Sequence, residues 1–111
     1  MAALALVVAC LTSGCTPAQQ ALFAAFVKAQ PHWTYNWDAV AQCETGSDWN
    51  MTGSYYSTGL GMMNQAITEN SPPDVAQREL SGTASVNEIK ETAETIAARH
   101  GIRSWGCWRV A

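Results

Sequence analysis

Apolar residues recur at helical spacing in several stretches of this chain and lose that spacing in one stretch near its middle. Thr16-Pro17 places a capping residue before Pro at a first helical position, and Leu22, Phe23, Phe26 and Val27 follow on one face. The spacing predicts a helix over about 17–29, ended at Gln30-Pro31 because the residue before Pro is pushed out of helical geometry. Its apolar face needs cover, so it reads as a brace on the domain rather than a spacer. Asn36 can cap a second helix with the body Trp37 to Cys43, stopped by Thr45-Gly46-Ser47. Trp49 to Gly61 mixes Gly and Ser with aromatics without helical period and reads as a loop or short hairpin. Met62 to Asn70 then reads as a short helix, and Ser71-Pro72-Pro73 opens another that runs to about Leu80 and ends at Gly82.

The strongest local signal comes late in the chain. Ser85-Val86-Asn87-Glu88 has the form of a capping box, and Val86, Ile89, Ala93, Ile96 and Ala97 make an apolar stripe behind it. That predicts a helix over about 86–99, closed by Gly101, with Ser104 to Trp108 returning aromatic surface to the core or to a cleft.

Before all of this, Met1 to Leu11 is an apolar run of the length of a signal peptide's hydrophobic region and too short to span a bilayer. Leu11-Thr12-Ser13-Gly14-Cys15 resembles a bacterial lipobox, whose Cys receives lipid and becomes the new N-terminus. Three readings stay open: membrane anchoring through a lipidated Cys15, plain secretion, or a retained apolar helix. The chain therefore divides into a leader at 1–14, an N-terminal helix or spacer at 15–34 and a domain at 35–111. The expected location is outside the cell or in its envelope.

Composition narrows the partners. The 111 residues are 48% hydrophobic and 14% charged with a formal net charge of −3, too little positive charge to hold a phosphate polyanion, which argues against nucleic acid. Cys43 and Cys107 remain once the leader is removed, and in an oxidising compartment they can form a disulfide; otherwise they are two buried thiols. His32 and His100 stand apart from both, so no metal site is expected. No cofactor motif is present, and the domain reads as a monomer.

Three blocks carry a family resemblance. Trp37 to Trp49 reads W-D-A-V-A-Q-C-E-T-G-S-D-W and resembles the opening of the resuscitation-promoting factor family, which has C-E-S-G-G-N-W at that place. Tyr55 to Gly61, Y-Y-S-T-G-L-G, resembles the family's Y-Y-G-G-L-Q, and Trp105-Gly106-Cys107-Trp108 resembles its W-G-A-W. The resemblance covers about residues 35–108. It implies an α+β, mainly α, lysozyme-like domain with a short loop or hairpin after the catalytic helix, acting on peptidoglycan glycan strands. It also implies that Glu44 is the one essential carboxylate and that Cys43 pairs with Cys107, although Cys107 here lies inside the last block rather than after it.

Cleaving the bond between N-acetylmuramic acid and N-acetylglucosamine requires protonation of the bridging oxygen while positive charge develops on the ring. Glu44, at the end of the predicted helix, supplies that proton. A common hydrolase adds a second carboxylate. Asp38 is six residues back on the same helix and points elsewhere, and Asp48 reads as a solvated loop residue. Glu44 acting alone as acid and then base, in the manner of a lytic transglycosylase, is the simpler expectation, with a wall-binding module lacking turnover as the alternative.

Trp49, Tyr55 and Tyr56 are candidate sugar-stacking residues, since a pyranose offers an apolar face to an aromatic ring. Trp105 can reach the cleft, whereas Trp33, Trp37 and Trp108 read as core or wall. The chain departs from the family over Gly61 to Ile67, where Asn64 and Gln65 are the amides left for the substrate.

Overall fold

The computed structural model describes residues 16–21 and 33–111. The chain divides into two units, 1–32 and 33–111. In the first, residues 17–21 are helical, with Thr16 Oγ1 accepting the Gln19 N–H at 3.1 Å as a helix-opening residue does. The leader expected at 1–14, Cys15 and the rest of the helix expected over 17–29 lie outside the described residues.

The second unit is mainly helical with one small hairpin, as its sequence predicts. Helix α1 spans Trp37–Thr45, strands β1 and β2 span Tyr56–Ser57 and Met62–Met63, and helices α2, α3 and α4 span Asn64–Asn70, Pro73–Ser81 and Val86–His100. Two 3-10 turns, Ile102–Ser104 and Trp108–Val110, finish it. No helix among the described residues is long and apolar enough to cross a membrane.

Local chemistry sets most of these limits. Asn36 Oδ1 accepts the Ala39 N–H at 3.2 Å and starts α1, while Gly46, at φ 66°, turns the chain into the left-handed conformation that ends it. The capping box forms in full: Ser85 Oγ accepts the Glu88 N–H at 3.1 Å, and Glu88 Oε1 accepts the Ser85 N–H at 3.0 Å. Glu88 also forms an ion pair with Arg78 of α3, binding the two helices together.

The helix expected to begin at Met62 begins at Asn64. Met62 and Met63 instead pair antiparallel with Ser57 and Tyr56, because the turn between the strands brings their backbone groups opposite each other. Pairing with a partner strand outweighs the modest helical preference of two methionines.

The core gathers Trp37, Val40 and Ala41 from α1, Leu60 and Met62 from the hairpin, and Ile67 from α2. Helix α4 adds Ile89, Ala93, Ile96 and Ala97. Val86, counted in that stripe, is 36% exposed because the first turn of α4 overhangs the core. Glu94, on α4, accepts the Trp37 indole N–H at 2.9 Å and the Thr34 backbone N–H at 2.6 Å, which fixes the start of the unit to α4. The tail returns as expected: Trp105 is buried against Trp37, ring centroids 4.9 Å apart, and gives its indole N–H to the Leu60 carbonyl at 3.1 Å.

Candidate active site

The α1 cap delivers Glu44 to the last turn of that helix, half-buried, at the edge of a cleft of about 490 Å³. The hairpin contributes Tyr56, Met62 and Met63, α2 and α4 contribute Ala66 and Ile96, and the tail contributes Ser104, Trp105 and Gly106. Among the described residues lining this cleft, Glu44 is the one carboxylate.

The acid is held from one side. Cys107 donates its backbone N–H to Glu44 Oε1 at 2.9 Å, and the same Cys107 is disulfide-bonded to Cys43, next to Glu44 in the chain. An N–H donates to an oxygen lone pair, so this contact engages Oε1 and leaves Oε2 as the oxygen turned to the hairpin side. A Cβ built on Gly61 would lie 3.9 Å from Oε2, so the carboxyl faces bare backbone there. Thr45 follows Glu44 and donates its hydroxyl to the Gly59 carbonyl at 2.7 Å, tying the end of α1 to the loop between the strands.

This order of elements places a lone carboxylate at a helix end, facing a short hairpin, with a tryptophan-bearing tail folded back over it. The family profile described as a transglycosylase-like domain matches residues 32–108. The chain belongs to the transglycosylase-like domain family. It is similar to the resuscitation-promoting factor RpfE of Mycobacterium tuberculosis (strain ATCC 25618 / H37Rv), 35% identical over 74 residues. That match takes in 66% of this chain and 40% of the relative, so the chain spans well under half of that protein's length. No solved structure matches. The family resemblance read from the three sequence blocks is borne out by the profile and by this relative.

Within this transglycosylase-like domain, the residues expected to meet substrate are distributed unevenly. Tyr56 and Trp105 line the cleft, Tyr56 with about half its surface exposed and Trp105 as a buried wall. Tyr55 is 74% exposed and its ring lies 6.5 Å from that of Tyr56, beside the cleft rather than in it. Trp49 is outside the cleft lining; it packs against the core with Lys90 Nζ 5.7 Å from its ring centroid. Asn64 is occupied inside the hairpin, accepting from Ser57 Oγ at 2.7 Å and donating to the Gly53 carbonyl at 2.8 Å. Gln65 donates to Glu69 Oε1 at 3.0 Å on the exposed side of α2.

The other two candidate carboxylates stand as expected. Asp38 pairs with Lys90 at 3.0 Å, and Asp48 is exposed and does not line the cleft. The Cys43–Cys107 disulfide is present, and Cys43 is exposed.

Sequence reasoning missed Glu79. Its side chain is 1% exposed, and burial pushes its carboxyl up to about 7, against hydrogen bonds from Thr92 and Ser71 that favour the charged form. Its Oε1 has no hydrogen-bond partner among the described residues. The apolar positions flanking it on α3 were the available signal, because an acid at helical spacing between Ala76 and Leu80 shares their inward side.

Proposed function

We propose that this domain cleaves the β-1,4 bond between N-acetylmuramic acid and N-acetylglucosamine in peptidoglycan, acting as a lytic transglycosylase outside the cell or at its envelope. The observation that carries this reading is a cleft in which, among the described residues, Glu44 is the one lining carboxylate. Glu44 Oε2 protonates the bridging oxygen, the C–O bond breaks, and positive charge spreads over the ring carbon and ring oxygen. The Glu44 carboxylate then takes the proton from the same sugar's 6-hydroxyl as that oxygen bonds to the ring carbon. A 1,6-anhydro end forms and no water is consumed.

The Cys107 N–H supports this cycle by fixing which oxygen handles the proton in both steps. Tyr56 and Trp105 offer apolar surface to the sugar rings. Digestion of purified peptidoglycan with wild type and Glu44→Gln, followed by mass spectrometry, tests the reading. Soluble fragments with anhydro ends, lost in Glu44→Gln, are expected. Reducing ends point to a hydrolase instead, and fragments released by Glu44→Gln remove Glu44 from its role.

The occupied amides of Asn64 and Gln65 favour a second reading, a wall-binding module with little turnover, because few polar side chains are left to grip the glycan. Sedimentation with insoluble wall that releases no fragment is its signature.

A further inference from the structure

Three of the five described cations have partners of their own. Arg78 pairs with Glu88 and Asp74, Lys90 pairs with Asp38, and Arg99 donates to Asn70 Oδ1 at 2.9 Å. Arg103 and Arg109 differ. Among the described residues neither has a carboxylate within ion-pair distance, and both are exposed. Both guanidinium groups stack on one ring, that of Trp108, with Cζ at 4.8 Å and 5.4 Å from its centroid.

Stacking on a tryptophan holds a guanidinium in place without neutralising it. Two such groups on one ring repel each other, and among the described residues no carboxylate lies within ion-pair distance to relieve them. The result is a fixed patch of positive charge on a chain whose net charge is negative. Its position is set by the two 3-10 turns that carry it. Arg103 precedes Ser104, Trp105 and Gly106, which line the cleft, and Trp108 follows Cys107, whose N–H holds Glu44. The patch thus brackets, in sequence, the segment that closes the cleft over the acid.

We infer that Arg103, Trp108 and Arg109 form a carboxylate-binding subsite that takes the acidic substituent of the muramic acid residue lying beside Glu44. This rests on the peptidoglycan reading above and adds to it a preference for strands bearing that charge. A muramic acid residue carries its charge in one of two ways: on the stem peptide when that is attached, or on the lactyl carboxylate when it is not. Planar guanidinium groups suit either carboxylate, with N–H donors in the plane and an indole behind them.

The test is equilibrium binding to Glu44→Gln protein, which is not consumed by turnover, with soluble fragments of three kinds. One keeps its stem peptides, one has had them removed to leave the lactyl carboxylate, and one is an N-acetylglucosamine oligomer with no carboxylate. Adding Arg103→Gln and Arg109→Gln together is expected to weaken binding of a carboxylate-bearing fragment by roughly tenfold, the scale of two exposed charge contacts, and to leave the neutral oligomer unchanged. Whichever charged fragment shows the loss identifies the carboxylate. Arg103→Lys with Arg109→Lys, which keeps the charge but loses the planar donors held over Trp108, binds a charged fragment more weakly than the Glu44→Gln parent and more tightly than the Gln pair. Rising salt weakens the Glu44→Gln parent more than the Gln variant. Unchanged affinity for both charged fragments, or an equal loss for the neutral oligomer, overturns the subsite. Wild-type protein that binds with this charge preference but releases no fragments from peptidoglycan overturns the cleavage reading and leaves the subsite standing.

Discussion

Cys107 contacts Glu44 through its backbone N–H, at 2.9 Å from Oε1, and reaches Glu44's neighbour Cys43 through its side chain. One residue therefore holds the carboxyl group directly and the end of α1 covalently. The disulfide joins positions 64 apart in sequence, nearly the whole length of the second unit.

Removing that link is expected to affect both stability and chemistry. Closing a loop of this length constrains the unfolded chain by about 4 kcal/mol in the loop-entropy picture. Cys43→Ser with Cys107→Ser, or wild type in a dithiol reductant, should therefore melt at clearly lower temperature. Below that melting range cleavage should still fall, because the tail that presents the Cys107 N–H is no longer held to α1. Equal rates for oxidised and reduced protein, measured where circular dichroism reports both folded, would contradict this.

Glu79 gives the domain a pH dependence whose sign follows from its burial. Its folded-state value of about 7 lies above the 4.5 of an ordinary Glu, so the folded state prefers the protonated form. The associated stability is fully present below pH 4.5 and is lost as pH rises through 7, on the order of 3 kcal/mol across that window. Glu88 acts in the opposite direction. Its ion pair with Arg78 lowers it to about 2, so its contribution is present above pH 4.5 and is lost as pH falls toward 2. Thermal melts between pH 5 and 8 should show wild type losing stability with rising pH while Glu79→Gln stays nearly flat.

Much of this was legible in the sequence because the signals were local. Asn36, Gly46, Gly82 and the Ser85–Glu88 box each determine a helix end through groups within a few residues of it. The block that carries the candidate acid could be read for the same reason, since Cys43, Glu44 and the stop at Gly46 lie within four residues. What escaped were features decided by distant partners. Met62 and Met63 became a strand because of residues at 56 and 57, and Asn64 turned its amide into the hairpin because Ser57 and the Gly53 carbonyl lie there. The sandwich of Lys90 between Trp33 and Trp49 joins three segments that no sequence window contains together.

Trp49 and Tyr56, both expected to stack on sugar, should separate on mutation. Trp49 packs on the core beneath Lys90, so Trp49→Ala is expected to cost roughly 2–4 kcal/mol of stability, with apparent affinity of the remaining folded protein for glycan changed less than about twofold. Tyr56 lines the cleft at 53% exposure, so Tyr56→Ala should cost under about 1 kcal/mol while weakening glycan binding several-fold. Chemical denaturation and fragment binding on the two variants, run side by side, check the contrast.

Two glycines in the loop between the strands should differ in the same informative way. A Cβ on Gly59 would lie 2.7 Å from Trp49 Cα and 3.0 Å from Trp49 N, so backbone has to move, and the Gly59 carbonyl that receives the Thr45 hydroxyl moves with it. Gly59→Ala is expected to destabilise by about 3 kcal/mol, at the upper end of what overpacking costs. Gly61 has room for a Cβ, but its φ of 60° makes any other residue strained by roughly 1–2 kcal/mol. The added methyl would stand 3.9 Å from Glu44 Oε2, the oxygen that carries the proton in the proposed cycle. Gly61→Ala should therefore be the more stable variant and still lose cleavage out of proportion to its stability. Full activity in Gly61→Ala would mean that the glycan approaches Glu44 from a direction other than past Gly61.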